Sequence, residues 1–251
     1  MASDDITTHT RRRTRILVAK LTGVATVIAV VVVCPIFAAS RLVAPAPTAP
    51  AGRPVGTAFA TARVPGSGAG GDLVWTEVAG VPVPVSRTVG PRDTSAGRAR
   101  GFSHDGMGAV FAAIHISLRL SPQVGPVVFE ATLRQQVVGD GAPALGQQLA
   151  SDYDQTRQRL GLPYGQPAGR LHARVRGWCL DAETPAQVVI RLLVEGSTQD
   201  GESVLAATVM RLRWASGDWA LVAPPDGDWS RVMTAVATVD GYTPAPDPGG
   251  A

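Results

Sequence analysis

Residues 203–223, SVLAATVMRLRWASGDWALVA, decide the fold class. Val204, Ala206, Met210, Leu212 and Trp214 fall on one face of an extended chain, with Arg211 and Arg213 on the other. Ser216-Gly217-Asp218 then supplies turn chemistry, and residues 219–223 form a second short strand that Pro224-Pro225 stops. A period of two, broken by a Gly-bearing turn, predicts an antiparallel hairpin. Working upstream, residues 186–195 are apolar on both faces through Leu193, as in a central strand. In 171–179, Leu171, Ala173, Val175 and Cys179 alternate with His172, Arg174, Arg176 and Trp178.

Before Gly161 the period is that of a helix. Ser103 is placed to cap a first helix, in which Met107, Val110, Phe111, Ile114 and Leu118 recur at i, i+3, i+4, i+7 and i+11. Ser121-Pro122 breaks it. A second helix opens with Pro126 in its first turn, aligns Phe129, Leu133 and Val137, and ends at Gly139-Asp140-Gly141. A third, over 143–160, lines up Leu145, Leu149, Tyr153, Thr156 and Leu160. Ahead of them LVWTEV (73–78) reads as a strand and 80–93 as an extended, proline-limited approach. Helices followed by a strand meander predict an α+β domain.

Further towards the N-terminus, residues 21–40 form an uncharged run of 20 residues. As a helix it would span about 30 Å, the thickness of a bilayer core. Arg11, Arg12, Arg13 and Arg15 precede it and only Arg41 follows closely, which predicts a cytoplasmic N-terminus and an external remainder. A cleaved signal peptide, cut at Ala38-Ala39-Ser40, is the competing reading. Residues 41–72 hold five Pro, six Gly and eight Ala around one aromatic, Phe59, and read as a tether averaging about 30 Å. The expected layout is a basic cytoplasmic tail (1–15), a transmembrane helix (16–40), a flexible linker (41–72), an extracytoplasmic α+β domain (73–243) and a disordered tail (244–251).

The net charge of +3 sits entirely in residues 1–40; residues 41–251 balance eighteen arginines with eighteen acids. The exported part lacks the cationic excess that phosphate binding uses, so no direct nucleic-acid partner is expected. Cys34 falls within the predicted membrane span and Cys179 far downstream in the exported part, so no disulfide is expected, and Cys179 reads as a small buried hydrophobe.

Groups that could carry chemistry are few. Ser103-His104-Asp105 contains triad residue types, but chain neighbours cannot adopt triad geometry. His115 falls on the shoulder of the first helix's apolar face, and His172 faces outward among arginines. Asp152 and Asp154 lie on a polar helical surface. Arg174, Arg176, Arg211 and Arg213 could share a sheet face, most simply as a solvated face paired with acids. Gly-Asp-Trp occurs at 217–219 and 227–229, and both tryptophans read as packing devices. No catalytic, cofactor-binding or metal-ligating residue is assigned, no cofactor is implied, and the chain is not expected to be an enzyme.

The segments GVPVPVSRTVGPR (80–92), GFSHDGMGAVFAAIHI (101–116), QQVVG (135–139) and RWASGDWALVAPPDGDW (213–229) resemble a family of uncharacterised membrane proteins. That family is common in mobile and conjugative elements of high-GC Gram-positive bacteria, and the likeness covers about 73–243. It is a domain of unknown function, so no site residue carries over. The layout is also similar to the inner-membrane scaffold proteins of conjugation machines. Their outer domain is a nuclear-transport-factor-two-like cone, with three N-terminal helices packed on a curved antiparallel sheet. The resemblance implies a membrane-anchored extracytoplasmic scaffold or assembly protein, with membrane or envelope proteins as partners and self-association left open. A small-molecule-binding or enzymatic domain of the cell envelope is the alternative.

Overall fold

The computed structural model describes residues 72–197 and 201–248. The chain opens with a two-stranded ribbon, β1 (Leu73–Val78) and β2 (Val81–Ser86), paired antiparallel in the register Val78↔Val81 to Leu73↔Ser86. Ala79 and Gly80, at φ of 48° and 84°, make its two-residue turn. The prolines of β2 do not spoil the ladder. Pro82 and Pro84 lie two apart, at positions whose missing N–H would point away from β1.

Next come α1 (Gly106–Arg119), α2 (Pro126–Gln136), β3 (Val137–Val138) and α3 (Ala142–Leu160). The strands β4 (Ala173–Glu183), β5 (Gln187–Ser197), β6 (Ser203–Ala215), β7 (Asp218–Val222), β8 (Met233–Val236) and β9 (Thr243–Pro244) follow. They join β3 in a seven-stranded sheet of order β3-β7-β6-β5-β4-β9, with β8 pairing the free half of β6. β3 runs parallel to β7; every other pair is antiparallel.

The α+β class stands, but the expected arrangement does not. A β-ribbon precedes the helices, the sheet is mixed, and no nuclear-transport-factor-two-like cone is seen. β1 matches the strand read from LVWTEV, but its pairing with β2 escaped the sequence reading because the prolines of 80–93 suggested only an extended approach. No described helix is long and apolar enough to cross a membrane. The predicted span over 16–40 lies outside the described residues. At the other end, the packed chain passes 243: β9 pairs with β4, Ala245 N–H donates to Arg176 O at 2.9 Å, and Asp247 pairs with Arg174. Ala245 and Asp247, in the expected disordered tail, therefore bond to β4.

α1 is the axis of the molecule. Instead of one apolar stripe, it is buried on nearly every side, packed against the ribbon, the main sheet and α2. Ala109, Ala112 and Ala113, all fully buried, let these layers approach closely. The helix starts two residues later than the Ser103 cap predicts. Asp105 is the N-cap, accepting from Gly108 N–H at 2.7 Å, while Ser103 Oγ donates to Asp105 Oδ1 at 2.8 Å. A Cβ at Gly108 would stand 1.9 Å from Ser103 O, so only glycine fits.

Two irregularities re-aim β4. Its register against β5 slips between Val175 and Gly177 and again between Leu180 and Ala182. The first slip turns Trp178 to the inner face, where it is buried, and Cys179 outward. The strict alternation read from 171–179 therefore fails beyond Arg176.

Candidate functional site

Ser103-His104-Asp105 forms a corner clamped by the β6–β7 hairpin. Asp218 Oδ2 accepts from Gly101 N–H at 2.7 Å, and Trp219 Nε1 donates to Ser103 O at 2.9 Å. His104 stacks on Trp214 with centroids 3.8 Å apart, and its Nε2 lies 2.5 Å from Pro185 O. The three residues do not converge as a nucleophile, base and acid. They cap α1 and pin it to the sheet.

His115 is completely buried, not on a shoulder. Arg119 Nη1 donates to its Nδ1 at 3.0 Å. Arginine has only donors, so Nδ1 is the acceptor, and Nε2 carries the proton that it donates to Pro84 O at 2.8 Å. Burial, reinforced by the Arg119 charge, pushes the His115 pKa down to about 3. Burial alone brings Arg119 down to about 10. The pair bonds α1 to β2 through the carbonyl that Pro84 turns outward. His172 is exposed, as its place in the sequence suggested.

The two helical aspartates part company. Asp154 pairs with Arg157 at 2.6 Å. Asp152 is buried and accepts from Gln148 Nε2 at 2.8 Å; burial raises its pKa. A polar neighbourhood in sequence hid this, because Asp152 lies one turn from Leu149 on the packed side of α3.

Nor do the four strand arginines make one patch. Arg174 sits opposite Glu195, which sits opposite Leu205, whereas Arg211 lies six positions further along β6. That is about 20 Å of strand. Arg176 pairs with Glu195 at 3.2 Å and Arg174 with Asp247 at 2.7 Å, while Arg211 and Arg213 are exposed at the other end. Cys179 is half-buried, not a core hydrophobe, with Arg191 Nη2 at 3.3 Å from its Sγ. Trp219 and Trp229, of the two Gly-Asp-Trp segments, are both buried.

Two of the clefts on the described residues bear on the site. One, of about 530 Å³, lies between Gly141, Arg211, Val222 and Trp229. The other, of about 350 Å³, opens between the ribbon and the inner face of β4, with Trp75, Pro84 and Trp178 on its walls. Sequence reading missed the second because Trp178 was placed on the outer face. Gly177, next to the bulge, was the available signal.

No curated protein and no solved structure matches this chain. A domain of unknown function, DUF8175, matches residues 38–244, more than four-fifths of its length, and the chain belongs to that family.

Proposed function

We propose that the chain is a membrane-anchored extracytoplasmic scaffold, an assembly component of the kind a conjugative transfer apparatus uses. The observation that carries this reading is the order of segments along the chain. β1 opens at Leu73, directly after the Pro/Gly/Ala-rich stretch that follows the apolar run 21–40. A compact body at the end of a tether is the layout that positions binding surfaces beside membrane partners.

The roles of the polar groups support it. His104, His115, Asp105 and Asp218 hold α1 to the ribbon and to the sheet. The reading places the N-terminus in the cytoplasm and the domain outside, with other membrane or envelope proteins as partners. The test compares two changes in the parent element. Replacing residues 1–40 with a cleavable export signal should abolish transfer, whereas His104→Gln and His172→Gln should leave it nearly intact. An essential histidine with a dispensable anchor would overturn the scaffold.

A further inference from the structure

Residues 41–251 are neutral overall, but their arginines are unevenly spread. Between β2 and α1, residues 87–101 hold Arg87, Arg92, Arg98 and Arg100 against one acid, Asp93. Asp93 pairs with Arg100, whereas no ion pair among the described residues uses Arg87, Arg92 or Arg98. The loop is tightly built. Arg92 N–H donates to Arg100 O, and Arg100 N–H to Asp93 O, each at 2.8 Å. The Arg92 side chain lies across it, Nη1 donating to Gly101 O at 2.9 Å and Nη2 to Thr88 O at 3.3 Å. Carbonyls orient a guanidinium without cancelling its charge. Extended backbone at Arg98 (φ −111°, ψ 168°) turns Ala99 into the core and leaves Arg98 and Arg100 on the opposite side. Arg87, Arg92 and Arg100 are exposed and Arg98 is half-buried.

These arginines stand where the N-terminal chain arrives. Asp72, the first described residue, accepts from Ser86 Oγ at 2.9 Å and from Thr88 N–H at 3.0 Å, so the chain enters the body beside Arg87. The acids at this end are already engaged. Asp72 is held as just described, Asp93 also accepts from Ser95 N–H at 2.8 Å, and Asp218 accepts from Gly101 N–H at 2.7 Å. We infer that the 87–101 loop docks on an anionic lipid surface, with Arg87, Arg92 and Arg98 as the cations that meet the headgroups. The inference rests on the membrane-anchored reading. A coil over 41–71 averages about 30 Å, so the end of the body that bears residue 72 stays close to the bilayer, at high effective concentration. Val89 and Pro91 of the loop are buried, so it offers no large apolar side chain for insertion. The contact is electrostatic and is screened by salt.

The experiment reads energy transfer from the five tryptophans, all within the folded body, to dansyl-labelled lipid. The full chain is placed in phosphatidylcholine nanodiscs with or without phosphatidylglycerol. Transfer should be higher in the anionic discs, and the excess should vanish at 1 M salt, where the Debye length is about 3 Å. Arg87→Gln and Arg98→Gln should each lower the docked-to-free ratio about fivefold. Arg159→Gln combined with Arg211→Gln removes two positive charges at exposed positions elsewhere and should leave the ratio nearly unchanged. Melting curves check that each variant is folded, and Arg87→Gln, at an exposed position, decides alone if the half-buried Arg98 is needed for folding. A chain that does not enter the discs overturns the anchor, and the docking with it. A chain that enters both kinds of disc and transfers equally overturns the docking alone. So does an equal loss in the Arg159 and Arg211 control, which would mean attraction by net charge and not by this loop.

Discussion

At the scale of single residues, the buried His115 makes the sharpest prediction. Its ordinary pKa is 6.5, and in the folded state it is about 3. The unfolded chain therefore takes up a proton, as pH falls, that the native state refuses. Stability contributed by neutral His115 is complete above pH 6.5 and is lost as pH drops from 6.5 towards 3. The slope is at most about 1.4 kcal/mol per pH unit. His115→Gln removes this one proton from the balance. The advantage of wild type over the variant in urea unfolding should thus shrink from pH 7 to pH 4, and a constant difference would contradict the buried neutral tautomer. Asp152 has the opposite sign. Its pKa is raised by burial, so the carboxylate costs stability at neutral pH. Asp152→Asn keeps the acceptor for Gln148 and should raise Tm at pH 7 by about 2–4 °C. A lowered Tm would mean that the charge has a partner worth more than its desolvation.

At the scale of elements, the start of α1 inverts a general rule. Gly→Ala within a helix usually stabilises by up to about 1 kcal/mol. At Gly108 the added Cβ meets Ser103 O at 1.9 Å, so Gly108→Ala should destabilise the domain, which a thermal melt reads directly. Phe111→Asp sets a carboxylate inside the same helix's fully packed surroundings and should abolish cooperative melting. These elements also show what the sequence made legible. The helices were readable because Val110, Phe111, Ile114 and Leu118 in α1, and Leu145, Leu149 and Tyr153 in α3, recur at three- and four-residue spacing and are all buried. β5, β6 and β7 were readable from their alternation and the Ser216-Gly217 turn. What was hidden depends on partners distant in the chain. Val137–Val138 continues α2 by pattern, yet it pairs with Leu221–Val222, and no local signal announces that partner. The slips in β4 are set by its pairing with β5, so Trp178 and the cleft beside it could not be placed from 171–179 alone. His115 was misjudged for a related reason: β2, whose Pro84 carbonyl it meets, was not read as a paired strand.

At the scale of the whole molecule, the prediction is topological. Protease added to wall-stripped cells should digest the chain beyond about residue 41 and leave the N-terminus protected. A mature N-terminus near Arg41 would replace the anchor with secretion. Within the folded body, the C-terminal chain binds the main sheet from both sides. β8 lies beside β6 and β9 beside β4, so residues 237–242 must cross the sheet between them. Arg191 lies 5.7 Å from the Tyr242 ring centroid, which puts this strap on the face away from the helices. The ribbon at the other end has no such crossing. Among the described residues β1 pairs with β2 alone, and the ribbon runs from Leu73 to Ser86 with both ends at the same open side. Force applied to the chain ahead of residue 72 would therefore unzip the ribbon one pair at a time, and would not shear all six pairs together. The clasp that must give first is Asp72, whose carboxylate accepts from Ser86 Oγ at 2.9 Å and from Thr88 N–H at 3.0 Å. Under tension the ribbon is a mechanical fuse. It would lengthen at low force, expose Pro84 and His115, and leave the strapped main sheet intact behind it.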